Sequence, residues 1–431
     1  MKVLMFGWEF PPHISGGLGT ACYGLTKGLV KTETEILFVV PKAYGDEDAN
    51  AARFVNASEI ETIGTQVELE KLWGNISFIQ IDSTLVPYVD EKEFNLCASI
   101  ETVEKHEKIF RHKYDFTGKY GANLMEEVAR YALVAANIAK DNAFDVIHAH
   151  DWLTYAAGIM AKRVSGKPLV IHVHATEFDR TGENVNPSVF NIEKQGMEQA
   201  DKVITVSNLT RNIVINKYGI NPEKVITVHN AVDFQGQEEI EIKRNVEDKI
   251  ITFLGRITYQ KGPEYFIEAA CKVLKRCNNV RFVMAGSGDM MKKMVRRVAK
   301  LGMGTRFHFT GFLKGVEVQQ MFAMSDVYVM PSVSEPFGIS PLEAMRSNIP
   351  VIISKQSGVS EVLKYAIKID FWDVDAMADL MYGLVTYPSL SKFFVRKGQA
   401  EVNSLKWEKA ATKIRKIYNQ VTDDNKNITN I

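Results

Sequence analysis

Short runs of apolar, largely β-branched residues alternate along the chain with longer stretches whose apolar positions recur at helical spacing. That is the pattern of parallel sheets wrapped by helices, an α/β architecture, and not that of a sandwich or a bundle. In the first half the runs are Val3–Phe6, Ile36–Val40, Ile76–Ile81, Asp145–Ala149, Leu169–Val173, Val203–Val206 and Val225–Val228. In the second they are Ile250–Leu254, Val280–Ala285, Arg306–Phe309, Val327–Met330, Val351–Ile353 and Ile367–Ile369. The alternation restarts near residue 250, after Phe234–Asp248, a segment rich in Gln, Glu, Asp and Lys that reads as a linker. Two Rossmann-like domains are expected, residues 1–235 and 249–404. Ser404–Val421 then sets Leu405, Ala411, Ile414, Ile417, Tyr418 and Val421, with Trp407 less regularly, near helical spacing, so an amphipathic helix closes the chain. The polar tail Thr422–Ile431 is expected to fray. Tyr44–Gly121 is longer than a crossover needs, and its mixed stretch Leu96–Tyr120 reads as an insertion over the cleft.

Composition narrows the picture. A chain of 431 residues with 46% hydrophobic content is long enough for two cores and too apolar for extended disorder. The 52 Lys and Arg offset the 52 Asp and Glu, so no global field draws the protein to nucleic acid or to an anionic membrane, and a charged ligand must be held by local groups. Cys22, Cys97, Cys271 and Cys277 have neither metal-ligand spacing nor the density of a disulfide framework, which suits a reducing, cytoplasmic setting. Met1 leads directly into an apolar strand, so no export signal is expected, and no run of about 18 apolar residues implies a membrane span. The helix Met290–Leu301 carries Lys292, Lys293, Arg296, Arg297 and Lys300 and reads as a solvated face rather than a lipid contact. The oligomeric state has no signature in the sequence.

Three segments have the residue types of a phosphate site. Strand one runs into Trp8-Glu-Phe-Pro-Pro-His-Ile-Ser-Gly-Gly-Leu-Gly19 and then a helical stretch, Thr20–Val30. Glycines there let the backbone approach a phosphate at a helix N-terminus, or serve a tight turn that needs positive φ. The second domain opens with Ile251-Thr-Phe-Leu-Gly-Arg256-Ile-Thr-Tyr-Gln-Lys261-Gly262. The Arg fork and the Lys point charge, placed at the C-terminal end of a first strand, suit a diphosphate, whereas isolated cations are usually solvated. Met330-Pro-Ser-Val-Ser-Glu335-Pro-Phe-Gly338-Ile-Ser-Pro-Leu-Glu343-Ala-Met holds two glutamates eight positions apart. Ser340, Pro341 and Glu343 also fit a helix cap, which leaves Glu335 unexplained, and the amides of Gly338, Ile339 and Ser340 would face a phosphate. Two strand ends carry histidine pairs, His148/His150 before Asp151 and His172/His174. A metal site is discounted because neither pair brings a carboxylate in register; the inner members His148 and His172 read as core residues. Asp373 and Asp375 precede a helix and read as its cap.

Gly255-Arg256 with Lys261-Gly262, the Glu335/Glu343 pair around Pro-Phe-Gly, Val228-His-Asn-Ala-Val-Asp233 and Ala285-Gly-Ser-Gly288 together resemble the retaining GT-B glycosyltransferases of the glycosyltransferase 4 type, over nearly the whole chain. The N-terminal third, with Gly7-Trp-Glu-Phe-Pro-Pro, Gly16-Gly-Leu-Gly and His150-Asp-Trp, is more similar to the glycogen and starch synthases of glycosyltransferase family 5. The resemblance implies a GT-B fold, with two parallel sheets facing across a cleft and the closing helix crossing back to the first domain. It implies transfer of a hexose, glucose first, from a nucleotide-sugar to a carbohydrate acceptor such as an α-glucan, with retention and without a metal or other cofactor. Arg256 and Lys261 would hold the diphosphate, Glu343 the ribose, and Glu335 and His174 the donor sugar. Gly16 and Gly17 would close over the phosphates, and Asp151 would face the acceptor. Base selection is placed near Phe312 and Leu313. The bacterial synthases carry Lys where this chain has Ile14, and usually another residue at the position of Glu343, so UDP-glucose stands beside ADP-glucose as donor. Two rival readings are a glycosyltransferase 4 enzyme acting on a lipid or small acceptor and a sugar-nucleotide epimerase of the same architecture.

Overall fold

The computed structural model describes residues 1–13, 16–65, 109–121, 123–232 and 246–429. Ile14, Ile76–Ile81, Cys97, most of Leu96–Tyr120 and most of the linker therefore lie outside the described residues.

In chain order the strands are β1 Lys2–Phe6, β2 Glu35–Val40, β3 Arg53–Asn56, β4 Glu61–Thr65, β5 Ile109–Lys113, β6 Val146–His150, β7 Leu169–Val173, β8 Lys202–Thr205, β9 Val225–Thr227, β10 Lys249–Leu254, β11 Val280–Ala285, β12 Phe307–Gly311, β13 Val327–Met330, β14 Val351–Ser354 and β15 Ile367–Ile369. The helices are α1 Gly17–Val30, α2 Leu124–Asp141, α3 Trp152–Ser165, α4 Glu177–Thr181, α5 Pro187–Gln199, α6 Asn208–Tyr218, α7 Pro263–Leu274, α8 Met291–Lys300, α9 Val316–Met324, α10 Ser340–Arg346, α11 Val374–Thr386, α12 Pro388–Val402 and α13 Trp407–Thr429.

Seven parallel strands form the first sheet in the order β3-β2-β1-β6-β7-β8-β9, and six form the second in the order β12-β11-β10-β13-β14-β15. Both orders reverse beside their first strand, and open α/β sheets bind ligands at the C-terminal strand ends next to such a reversal. The central strands are apolar on both faces because helices cover both sides, as parallel sheets require. β4 and β5 pair antiparallel outside both sheets. The sequence reading missed β3, β4 and β5.

Strand alternation decides what each face carries. Leu4, Phe6, Ile147 and Ile171 pack with α2, α3 and α5, while Val3, Met5, Val146 and Val170 face α1 and α13. The closing helix follows the second domain and buries Trp407, Ala411, Ile414, Tyr418 and Val421 in the core of the first. Gly24 and Gly28 make room for it: a Cβ on Gly24 would stand 2.2 Å from Trp407 Nε1, and one on Gly28 2.9 Å from Trp407 O.

The expected fraying at Thr422 is corrected. The helix runs on to Thr429, because no Gly or Pro interrupts it, Thr422 is buried, and Asn425 Nδ2 donates to Gly166 O at 3.2 Å. The basic helix α8 buries Met294 and Val298, and two of its cations pair with α7, Lys293 with Glu264 at 2.7 Å and Arg297 with Glu268 at 2.6 Å. Asp373 accepts from Ala376 N at 3.0 Å, the cap that its position suggested. Among the described residues no helix is long and apolar enough to cross a membrane.

Candidate active site

The C-terminal ends of β10, β11 and β12 lie side by side, tied by Gly255 N to Ala285 O at 3.0 Å and Gly286 N to Gly311 O at 2.8 Å. Past β10 the chain turns through Tyr259–Lys261 and enters α7 at Gly262, where φ is 64° and a Cβ would stand 2.1 Å from Pro331 O. Only glycine allows that approach. It presses Lys261 against the loop after β13, and Lys261 Nζ stands 2.5 Å from Glu335 Oε2, an oxygen that also accepts from Ser332 Oγ at 3.3 Å. Glu335 is held in place by its own backbone, which donates to Gln356 O at 3.0 Å and accepts from Gly358 N at 2.9 Å. Arg256 is exposed and donates to Gln260 Oε1 at 3.3 Å.

The helix-cap reading of Ser340, Pro341 and Glu343 is corrected. Ile339 takes the N-cap position of α10 without a side-chain cap, and Ser340 Oγ accepts from the Tyr328 hydroxyl at 2.9 Å. Buried Tyr328, which the sequence reading had not singled out, competes for that hydroxyl. Glu343 is consequently left without a side-chain hydrogen bond or ion pair among the described residues. Burial pushes its carboxyl above the usual range, and Arg346 pulls the other way. The amides of Gly338, Ile339 and Ser340, at the opening of α10, donate to no acceptor among the described residues. Phe312 and Leu313 follow directly after β12, Phe312 exposed and Leu313 half-buried, on the edge row that includes Gly255 and Gly286. The hydrogen bonds of the site do not join them to Lys261 or Glu335.

In the first domain Asp151 ends β6 with φ 60°, a conformation costly for a side-chain-bearing residue. Its Oδ1 accepts from the amides of His174 at 2.9 Å and Ala175 at 3.3 Å, while Oδ2 has no partner among the described residues. Burial pushes the carboxyl to about 6, against the pull of Arg180 and the two amides. Asp151 is thus a buried brace on the end of β7, and the residue it braces is His174. Burial holds the His174 ring at about 3, so it is neutral. Gly16 is extended and Gly17 begins α1, neither has positive φ, and a Cβ on either meets nothing within 4 Å among the described residues. The tight-turn explanation of these glycines therefore fails, and no described residue fills the space above them.

Several participants escaped sequence reasoning. Arg180 pairs with Glu177 at 2.9 Å and with buried Glu193, which the Tyr218 hydroxyl also reaches. Ser334 Oγ donates to Asp179 Oδ1 at 2.6 Å, a bond between the two domains. Glu361 accepts from Asn208 N at 2.9 Å and Leu209 N at 2.8 Å and contacts His229 Nε2 at 2.7 Å, a second bond across the domains. Tyr120 lies within electrostatic reach of Glu9, Asp151 and Arg256, so it stands where the two halves meet. No local motif marks these residues; only a tertiary pairing brings each into play.

The register also joins the two histidine pairs. His150 lies opposite His172 across β6 and β7, and His148, His150, His172 and His174 stack on one face. Burial, and then the neighbouring imidazoles, holds His148, His150 and His172 well below the ordinary histidine range.

Two open α/β sheets meeting at their switch points, with cations and glutamates on one side and a braced histidine on the other, define a GT-B glycosyltransferase. The starch synthase catalytic domain family matches residues 2–228, more than half of the chain, and the chain belongs to that family. Glycosyl transferases group 1 matches residues 235–399. An uncharacterised glycosyltransferase of Methanocaldococcus jannaschii is 29% identical over 381 residues, 85% of this chain and 84% of that protein. A glycogen synthase of Mycobacterium tuberculosis is 21% identical over 428 residues, 97% of this chain and 94% of that protein. Among solved structures, sucrose-phosphate synthase from Thermosynechococcus elongatus superposes with TM-score 0.71 at 15% identity, covering 98% of this chain and 99% of the other.

Proposed function

We propose that the chain transfers glucose from ADP- or UDP-glucose to an α-glucan, retaining the anomeric configuration and using no metal at the reacting centre. The observation that carries this reading is the Lys261–Glu335 contact of 2.5 Å beside exposed Arg256 and unpartnered Glu343, at the switch point of the second sheet.

Each group has a task that its geometry suits. Lys261 and Arg256 bind the donor diphosphate and absorb the charge that builds as the C1–oxygen bond breaks. The amides of Gly338, Ile339 and Ser340 add donors to the phosphates at the start of α10, and Gly16 and Gly17 leave the backbone of the first domain free to close over them. Glu343 takes the ribose hydroxyls, and the Phe312–Leu313 edge takes the base. Glu335 exchanges its Lys261 contact for the hydroxyls of the donor sugar. His174 lies against the sugar, where its backbone carbonyl or neutral ring steadies developing positive charge, and Asp151 holds it there from the acceptor side. The acceptor hydroxyl oxygen bonds to C1 on the face that the phosphate leaves, and its proton passes to the departing phosphate oxygen. That step needs orientation and charge more than a protein nucleophile. NMR of a maltooligosaccharide extended with ¹³C-labelled glucose tests the reading: a new α-linked residue is expected, and a β-linked product would contradict it.

A further inference from the structure

Four imidazoles from the ends of β6 and β7 stack together, and one of them, His148, meets Tyr418 of the closing helix. His148 and His150 are fully buried and His172 is 2% exposed, yet His148 Nε2, His150 Nε2 and both nitrogens of His172 have no hydrogen-bond partner among the described residues. Buried polar atoms are nearly always satisfied, and four orphans in one place call for a ligand. The ligand atoms of His148, His150 and His172 all lie within 4.8 Å of one another.

We propose that these three histidines form a site for one borderline transition-metal cation of the Zn²⁺ class. Imidazole nitrogens about 2.0–2.1 Å from a tetrahedral ion stand about 3.3 Å apart, so the rings, which stack at interplanar angles of 15° to 31°, must turn until their in-plane lone pairs converge on the ion. An all-nitrogen set selects such an ion over the oxygen-seeking Mg²⁺ and Ca²⁺. The second nitrogens of two of the three are already placed for it. His148 Nδ1 meets the Tyr418 hydroxyl, and His150 Nδ1 lies 2.9 Å from His174 Nε2. With these two Nδ1–H groups donating outward, the Nε2 of His148 and of His150 presents a lone pair inward, which is how outer partners orient metal-bound histidines, and His172 has either nitrogen to offer. Cys22 with His150 and His174 is a neighbouring set, but His150 and His174 are already joined at 2.9 Å through Nδ1 and Nε2. The ion would pin the closing helix to the sheet through Tyr418 and takes no part in transfer.

The test uses the full chain, free of any affinity tag, stripped with a chelator and titrated with Co²⁺. One equivalent is expected to bind, with the visible bands of a tetrahedral site of three imidazole nitrogens and one solvent oxygen, displaced by Zn²⁺ and untouched by Mg²⁺. His172→Leu abolishes it, His308→Gln leaves it intact, and Tyr418→Phe, which keeps its ring in the core, weakens it about 10- to 100-fold. Should the Leu variant fail to fold, the Tyr418→Phe shift decides. A wild-type chain that binds no Co²⁺, or binding equally tight in Tyr418→Phe, overturns the proposal.

Discussion

Lys261 and Glu335 are 74 positions apart in sequence and touch at 2.5 Å, one delivered by the turn after β10 and the other by the loop after β13. The contact pairs a cation with a buried carboxylate, and on the proposed function a donor diphosphate would separate them. Removing one partner therefore does different things to binding and to turnover. Glu335→Ala is expected to leave the affinity for a free nucleoside diphosphate unchanged or tighter, since Lys261 is released, while turnover falls by about 10²-fold or more. Titration calorimetry with UDP and ADP, beside steady-state rates, reads both; weaker nucleotide binding in the variant would count against the pairing.

Asp151 gives a pH prediction with a definite sign. Its pKa is about 6 in the folded chain, against about 3.9 unfolded, so the folded state holds the proton more tightly. Its contribution to stability is fully present below about pH 4 and is lost as pH rises through about 6. Asp151→Asn removes that dependence while keeping an oxygen for the His174 amide. Urea unfolding at a series of pH values should show the variant gaining on the wild type from pH 4 to 7; a constant difference would refute the assignment.

Glu361 acts in the opposite sense. Burial raises its pKa, but His229 and the amides of Asn208 and Leu209 outweigh it and leave it lowered. The stability it confers is present above the ordinary glutamate value of about 4.3 and fades as pH falls through the depressed one. Glu361→Gln should blunt the acid loss of contact between the domains, followed by small-angle scattering from about pH 6 down to about pH 2, across the depressed value.

The seat of the closing helix is testable by packing alone. Trp407→Ala should cost about 3–5 kcal/mol, and Gly24→Ala, which drives a methyl group into the Trp407 indole, about 1–3 kcal/mol. Denaturant midpoints check both, and a neutral Gly24→Ala would mean that α13 does not sit in this groove.

How much of this was legible follows from which signals are local. The six strands of the second sheet were readable because each carries closely spaced apolar residues, continuous in central strands such as Val327–Met330 and alternating in the edge strands Phe307–Gly311 and Ile367–Ile369. β3 was not, because Arg53–Asn56 is only partly buried and lacks such a run. Arg256, Lys261 and Glu335 could be picked out as a set because each follows a strand end. The helix-cap reading of Ser340 went wrong because Tyr328, a dozen positions away, claims its hydroxyl. The histidine pairs were each judged alone, since the register that sets His150 opposite His172 has no local signature.

The most direct test of glucosyl transfer is a screen of ADP-, UDP- and GDP-sugars against glycogen, maltooligosaccharides and buffer, measuring nucleotide release by the wild-type chain and by Lys261→Ala. Release from ADP- or UDP-glucose that requires a glucan acceptor, reduced about 10²- to 10³-fold in the variant, is the predicted result. Release only with a non-glucan acceptor, or a Lys261→Ala variant that turns over at the wild-type rate, would contradict it.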